Sequence, residues 1–241
     1  ILKRKCADVS KIVYTLRANG DRLMGSELGA YDTMLRESLG RSLSGDVGDD
    51  GWLQAACGVK DSGLGFRTAS ELALPAFVSS RIAAWPGVQS IFLDLEAAGL
   101  ASSSVLSLAY HQRTLAAQER YLQNLNAELA EAALASIVQA GHAAAQAWQQ
   151  ITSGNEEPGL RTSLTERIGE SLVDSAGVQD DESPLAMRSG ALSLQRALCA
   201  ALDEVRLTSL GDELFAAGKH RDIRRIRELR APNTDHSWMW N

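Results

Sequence analysis

The sequence predicts a mainly α-helical protein, a bundle-like arrangement of two helical parts with at most one short β-hairpin. Alanine, leucine and serine dominate the 241 residues, and β-branched runs are scarce, which favours helix over strand. Apolar residues recur at helical spacing, for example at Leu122, Leu125 and Leu129. Thr68 also precedes Glu71 by three residues, the spacing of a capping box at the start of a helix.

The N-terminal region begins with two predicted helices. The first spans about residues 3–18 and ends at Asn19-Gly20, a pair typical of a helix C-terminus. The second starts near Ser26. Its apolar face is formed by Leu28, Tyr31, Leu35 and Leu39. A stretch rich in Gly, Asp and Ser over 42–51 predicts a loop, and residues 57–66 are the candidate for the hairpin.

Beyond Thr68 the pattern is helical again. The Trp85-Pro86-Gly87 triplet predicts a break, followed by a helix over 88–98. Residues 102–151 read as helix throughout. Two asparagines and a glycine are expected to divide this stretch into two helices: Asn124, Asn126 and Gly141.

The C-terminal region alternates polar segments with helices. Residues 152–160 are a polar linker, and Ser163 with Glu166 forms a second capping box. An acidic loop over 174–183 precedes a helix that runs from Pro184 to about 217 and is broken or kinked near 209–211. A short basic helix is predicted over 221–229. We therefore predict two parts, residues 1–100 and residues 101–241.

The charge of the chain is unevenly distributed. The net charge is −6 overall, yet residues 1–41 carry +3, residues 219–230 carry +4 and residues 231–241 carry −1, so residues 42–218 carry −12. An acidic middle between basic ends argues against a free-standing nucleic-acid-binding domain. It is compatible with local phosphate contacts at the two ends, within a larger assembly.

Several classes of protein are excluded by composition. The chain has no run of about 18 apolar residues, so we expect no membrane-spanning helix. Cys6, Cys57 and Cys199 are widely separated, which argues against a disulfide framework and favours an intracellular, nuclear or cytoplasmic, location. No histidine has a second ligand at helical spacing and no Cys-x-x-Cys pair occurs, so we expect no metal site.

The sequence Gly48-Asp49-Asp50 resembles the paired aspartates of polymerase catalytic hairpins. Such chemistry needs two carboxylates that bind metal ions about 4 Å apart, held between apolar strands. The residues upstream, over 42–46, have loop composition. We therefore predict no catalytic residue in this chain.

The most specific pattern lies over residues 52–77, WLQAACGVKDSGLGFRTASELALPAF. It resembles the segment downstream of the palm in non-LTR (LINE-type) retrotransposon reverse transcriptases. Two weaker similarities flank it in the same order, KIVYTLR over 11–17 and RRIRELRAPNTDHSW over 224–238. Ser62 stands where the family has the first glycine of a Gly-Gly pair, and Gly58 stands where it often has proline.

The resemblance implies that this chain is the thumb and post-thumb part of an RNA-directed DNA polymerase, without catalytic residues of its own. Its implied partners are the RNA template, the RNA–DNA hybrid, and the palm and fingers of the parent enzyme. Any divalent metal would belong to the missing palm, so no cofactor is expected here. The residues predicted to contact nucleic acid are basic: Lys3, Arg4, Lys5, Lys11, Arg17, Lys60, Arg67, Arg221, Arg224 and Arg225.

Each of these assignments has a structural alternative. Residues 3–17 could be a solvated helix end, and Lys60 and Arg67 could serve only the Gly-rich turn. On the basic helix, Arg221, Arg224 and Arg225 share one side, which is also what a solvated face would show. The alternative for the whole chain is a helical scaffold that binds another protein and no nucleic acid.

Overall fold

The computed structural model describes residues 12–23, 25–57, 63–153 and 186–224. Within these residues the chain is helical and contains no strand, which confirms the predicted mainly α-helical fold. A further helical stretch covers 220–224. The helices are α1 Val13–Asn19, α2 Gly25–Leu43, α3 Asp49–Ala56, α4 Ala69–Ala97, α5 Ser103–Leu122, α6 Ala127–Ser153 and α7 Ala186–Ala216.

Helix α1 ends at Asn19, as predicted, but Gly20 is needed for a different reason from the one expected. Its φ is −59°, which any residue can adopt. A Cβ on Gly20 would lie 2.3 Å from the backbone oxygen of Ala73 on α4. The glycine therefore permits the close approach of two helices and does not supply a left-handed cap.

The apolar face predicted for α2 is confirmed, because Leu28, Leu35 and Leu39 are buried. The loop predicted over 42–51 is too long, however. Helix α3 already begins at Asp49, with Asp49 and Asp50 in its first turn. Carboxylates near a helix N-terminus interact favourably with the helix dipole. The Gly/Asp composition, which predicted a loop, is therefore also compatible with the start of a helix.

The break predicted at Trp85-Pro86-Gly87 is wrong, since α4 continues through both Pro75 and Pro86. A proline inside a helix costs about 3 kcal/mol, so packing must offset it. Pro86 is buried, and the Tyr110 hydroxyl donates to the carbonyl of Arg81 in the preceding turn at 2.7 Å. Gly87 leaves room for the ring of Trp148, which would be 3.3 Å from a Cβ at that position.

The predicted division of 102–151 is half right. Helices α5 and α6 are separated at residues 123–126, where the Asn126 side chain accepts from the backbone N–H of Leu129 at 2.9 Å. Gly141 lies inside α6 and does not interrupt it. The break predicted as one possibility near 209–211 does not occur, because α7 continues to Ala216. The second capping box and the acidic loop lie outside the described residues.

Two apolar clusters form the core, and α4 and α7 contribute to both. The first cluster joins α1, α2 and the start of α4 to Cys199 of α7. The second joins α4, α5 and α6 to Leu194 and Leu198 of α7. The boundary predicted near residue 100 falls in the short connection between α4 and α5. Helix α7 therefore packs against residues on both sides of that boundary.

Candidate nucleic-acid interface

The Gly-rich segment forms a turn that folds back on the end of α3. The backbone N–H groups of Leu64 and Phe66 both donate to the carbonyl of Ala55, at 3.1 and 3.0 Å, and Gly65 donates to Cys57 at 2.9 Å. These contacts satisfy carbonyls that a helix C-terminus leaves free. The described part of the predicted hairpin, 63–66, is thus a helix cap, and residues 58–62 lie outside the description.

Both described glycines of this turn are needed for its geometry. Gly65 has φ +71°, in the left-handed region that glycine adopts without steric cost. A Cβ on Gly63 would lie 2.1 Å from the carbonyl oxygen of Cys57 and 2.5 Å from that of Gln54. Both are backbone oxygens, so a change of side-chain rotamer cannot make room for the Cβ. The turn is therefore closed to larger residues at positions 63 and 65.

Arg67 leaves this turn toward the interior and binds α7. Its Nη1 and Nη2 atoms donate to the two carboxylate oxygens of Asp203 at 3.1 and 2.5 Å. Asp203 is 1% exposed. A bidentate pair of this kind fixes orientation as well as charge. The guanidinium predicted to reach phosphate is thus engaged within the protein, and its contact with nucleic acid stays a prediction.

Arg206 extends this pair into a network. Its Nη1 donates to the carbonyl of Ala56 at 2.9 Å and lies 3.3 Å from Asp203. Its Nη2 forms an ion pair with Glu71, whose carboxylate also accepts from the Thr68 hydroxyl. Two guanidiniums and two carboxylates therefore neutralise one another where α3, the turn, α4 and α7 meet. This arrangement is structural, because its charges are satisfied within the network.

Burial sets the electrostatics around this network. Loss of hydration lowers the pKa of Arg206 from its usual range, although an arginine remains charged in any case. Burial raises the pKa of the adjacent Cys199 thiol to about 11, so that thiol is neutral at physiological pH. Neither Cys199 nor the buried Cys57 is in a disulfide.

Of the ten residues predicted to contact nucleic acid, four are described. Lys3, Arg4, Lys5, Lys11, Lys60 and Arg225 lie outside the described residues. Arg17 lies at the end of α1, where its Nε and Nη2 atoms donate to the side-chain oxygen of Gln195 at 3.3 and 3.0 Å. Burial lowers its pKa. Arg17 is therefore partly occupied by a protein contact.

Arg221 and Arg224 lie beyond the C-terminal end of α7. The chain leaves that helix through Gly218, at φ +68°, and re-enters helix over 220–224. Both arginines are exposed. Lys219 beside them forms an ion pair with Asp50. The two predicted arginines thus project from a short helix fixed against α3.

The Gly-Asp-Asp sequence does not form a carboxylate pair that faces a common site. Asp49 lies 2.7 Å from Arg36 and is largely exposed, whereas Asp50 binds Lys219. The described residues include no group of three or more His, Cys, Asp or Glu side chains placed to hold a metal ion. The two aspartates therefore start a helix and pair with cations.

A row of stacked planar groups was missed by the sequence reasoning. It runs from the buried Phe77 through Arg81, Tyr110 and Trp85 to the exposed His111, and we call it the stacked row. The signal was available, since Phe77, Arg81 and Trp85 are four residues apart and so lie on one face of α4. The predicted break at Pro86 obscured that spacing.

A second guanidinium lies beside the buried end of the stacked row. Arg113 of α5 is 5.0 Å from the centre of the Phe77 ring. Its Nε and Nη2 atoms both donate to Asp21 at 2.5 Å, and this pairing raises the pKa of Arg113. Arg120 donates to the backbone oxygen of Asp21 at 2.9 Å. Arginines from α4 and α5 therefore converge next to the end of α1.

Comparisons with known proteins add no family assignment. A scan against protein-family models and searches of curated proteins and of solved structures gave no match to this chain. Among the described residues, none of the helices is both long and apolar enough to cross a membrane. The resemblance to reverse transcriptases therefore rests on the residues quoted for it.

Proposed function

We propose that this chain is a non-catalytic thumb and post-thumb portion of a retrotransposon-type RNA-directed DNA polymerase, which positions template and primer. The observation that carries the proposal is the geometry of the 63–68 turn. Gly63 and Gly65, two residues of the quoted resemblance, are each required by backbone contacts or by a positive φ. Arg67 and Thr68, from the same segment, lock the turn to α7 and start α4.

This geometry supports the proposal because it makes the segment a defined structural unit. Gly25 and Gly29 of α2, by contrast, lie where a Cβ would meet nothing within 4 Å. In the proposed role, the turn joins two helical elements rigidly, and the exposed Arg221 and Arg224 contact phosphates. Palm, fingers, catalytic metals and an intracellular location, nuclear or cytoplasmic, belong to the same proposal.

The test is the affinity of the purified chain for an RNA–DNA hybrid duplex, measured across a salt series. We expect binding that weakens steeply as salt rises from about 50 to 200 mM, since each neutralised phosphate releases counterions. Replacing both exposed arginines, Arg221→Gln with Arg224→Gln, should weaken binding equally for all sequences and lower the salt slope by about two.

The matched control replaces two other exposed arginines, Arg41→Gln with Arg196→Gln. Arg196 lies 20 residues before the end of α7, about 30 Å from it at 1.5 Å per residue. The control should lower the slope less than the test pair. No binding at low salt, or equal slopes for the two double variants, would count against the proposed interface.

A second candidate function is a helical scaffold that binds another protein. It is favoured by large apolar side chains around the connection between α4 and α5, each more than half exposed: Ile91, Leu93, Leu100, Val105 and Leu108. Clusters of exposed apolar residues are typical of interaction surfaces. Sedimentation at low and high salt separates the two functions, because association through this surface would persist at high salt while hybrid binding would not.

A further inference from the structure

The stacked row combines aromatic rings with a fixed positive charge. Arg81 Cζ lies 3.5 Å from the centre of the Tyr110 ring, Tyr110 is 5.1 Å from Trp85, and Trp85 is 4.2 Å from His111. The row leads outward, because Phe77 at one end is fully buried and His111 at the other is exposed. The Tyr110 and His111 rings are tilted from the Trp85 ring by 38° and 57°, so the face that the row offers to solvent is that of the exposed His111 ring.

Arg81 is held in place without a carboxylate. Its Nε donates to the Thr114 hydroxyl at 2.7 Å and its Nη2 to the Tyr110 carbonyl at 2.8 Å. Among the described residues Arg81 forms no ion pair, and its Nη1 forms no hydrogen bond. Burial lowers its pKa, while Tyr110 raises it, Arg113 lowers it and Asp21 raises it by smaller amounts. A half-buried guanidinium with no ion pair and with Nη1 available for a hydrogen bond favours an external anion.

The surroundings add positive charge. The carboxylate of Asp21 pairs with Arg113, and its backbone carbonyl accepts from Arg120. Arg22, next in sequence, is exposed. Arg81, Arg113 and Arg120 therefore lie near Asp21, whose carboxylate is paired with Arg113. Guanidinium groups hydrogen-bond phosphate with matching geometry, so the anion best suited to this group is a phosphate.

We propose that the stacked row binds a single-stranded nucleic acid, with a base stacked on the exposed His111 ring and a phosphate at Arg81. Aromatic side chains bind unpaired bases of any sequence, because every base has a planar face. The bases of a duplex are already stacked on one another, so the row suits an unpaired segment. Tyr110 lies between Arg81, which would bind the phosphate, and the Trp85–His111 end of the row, which would contact the base.

This inference goes beyond the proposed function, since it assigns a second site and a different form of nucleic acid. The site is built from α4 and α5, whereas the proposed hybrid interface includes the 220–224 helix beyond α7. It also holds whether or not the chain is part of a polymerase. A single-stranded probe and variants confined to α4 and α5 therefore test it separately.

The experiment is fluorescence anisotropy of a labelled oligothymidylate of about 12 nucleotides, within the usual site size of such surfaces. His111→Ala should weaken binding about tenfold, because stacking on one aromatic group is lost. The control His142→Ala removes another exposed helical histidine and should leave the affinity within about twofold, since a solvated side chain makes no stacking contact.

Arg81 is tested by salt dependence. Arg81→Gln should lower the single-strand salt slope by about 0.7, whereas Arg81→Lys should keep the slope but bind more weakly, since lysine lacks the stacked plane. The control is Arg41→Gln, an exposed arginine on α2. Thermal melting of each variant checks folding. If Arg81→Gln does not fold, the exposed His111 position decides the result.

The outcomes are separable. Loss of single-strand affinity in the His111 and Arg81 variants, with unchanged controls, supports the site even if Arg221→Gln with Arg224→Gln leaves hybrid binding unaltered. Wild-type affinity in both His111→Ala and Arg81→Gln overturns it. Failure of the wild-type chain to bind the oligothymidylate at low salt also overturns it, whatever the result with the hybrid duplex.

Discussion

Gly63 and Gly65 stand two residues apart and are required for different reasons. Gly65 adopts a φ of +71°, while Gly63 approaches the carbonyl oxygens of Gln54 and Cys57 too closely for any side chain. A positive φ costs an L-residue about 1 kcal/mol or more. A collision with fixed backbone forces the turn itself to move, so position 63 is the more demanding of the two.

We expect Gly65→Ala to lower the free energy of unfolding by about 1 kcal/mol, and Gly63→Ala to lower it by more. Denaturant unfolding followed by circular dichroism measures both. Gly29→Ala is the control, because a Cβ there meets nothing within 4 Å and alanine favours helix. Equal stability of all three variants would contradict the geometry of the turn.

Cys199 gives a pH-dependent contribution to stability. Burial raises the pKa of its thiol from 9.0 to about 11. Above pH 9 the unfolded chain loses this proton while the folded chain retains it, so the contribution is complete below pH 9 and is lost as the pH rises through 11. The stability lost over this pH range is on the order of 2–3 kcal/mol.

The measurement compares wild type with Cys199→Ala in chemical unfolding between pH 8 and pH 11. The variant starts from lower stability because it leaves a cavity, but its stability should fall less steeply as the pH rises. Parallel curves for the two proteins would exclude the buried thiol as the source of the pH dependence.

At the scale of elements, the start of α4 is fixed by two neighbours. Asp32 of α2 accepts from the backbone N–H groups of Ala69 and Ser70 at 2.6 and 3.1 Å, which caps the helix from outside. From α7, Asp203 accepts a hydrogen bond from Arg67, and Arg206 forms an ion pair with Glu71. The first turn of α4 is thus held from both sides, which positions the Gly-rich turn.

We expect Asp203→Ala to be strongly destabilising, by about 3–5 kcal/mol, because it leaves Arg67 and the buried Arg206 short of a partner. Asp49→Ala removes a carboxylate that is 85% exposed and paired with Arg36, and should cost less than about 1 kcal/mol. Thermal denaturation of the two variants tests this difference. Similar losses would mean that the Asp203 network contributes no more than a surface pair.

The sequence predicts elements well where local pattern decides them. Thr68 is the side-chain cap that the Thr68–Glu71 spacing indicates, since it accepts from Glu71 N. Leu28 and Leu35 are buried on the predicted face. The break at Pro86 was wrongly predicted because the neighbouring contacts, from Tyr110 to the Arg81 carbonyl and from Trp148 to Gly87, join residues far apart in sequence.

The candidate site was less predictable for the same reason. Arg67 was identified from the turn, but its partner Asp203 lies 136 residues away, and sequence spacing does not reveal such a pair. Arg81 and Tyr110 are 29 residues apart on different helices. Their stacking depends on how α4 crosses α5, which follows from tertiary packing.

At the scale of the whole molecule, the two apolar clusters are joined through shared helices. Cys199 belongs to the first cluster and Leu198 to the second. Adjacent residues of α7 therefore face different parts of the core. A helix shared in this way couples the stability of the regions that it contacts, since neither cluster keeps its burial if α7 detaches.

Leu198→Ala should reduce stability by about 2–5 kcal/mol, because Leu198 is fully buried and its loss leaves a cavity. We expect hydrogen exchange of core amides to accelerate equally in α2 and α6, since the clusters unfold together. Leu43→Ala, at an exposed position, is the control. Acceleration confined to α6 would show that the two clusters unfold independently.

The separation of 136 residues between Arg67 and Asp203 has a consequence during translation. At about 5–20 residues per second, a ribosome needs roughly 7 to 27 s to synthesise the intervening chain. Throughout that interval the nascent turn lacks its α7 partner, and the surface of α4 that α7 covers remains open. The ribosome-bound chain is therefore most dependent on chaperones after α4 has emerged and before α7 arrives.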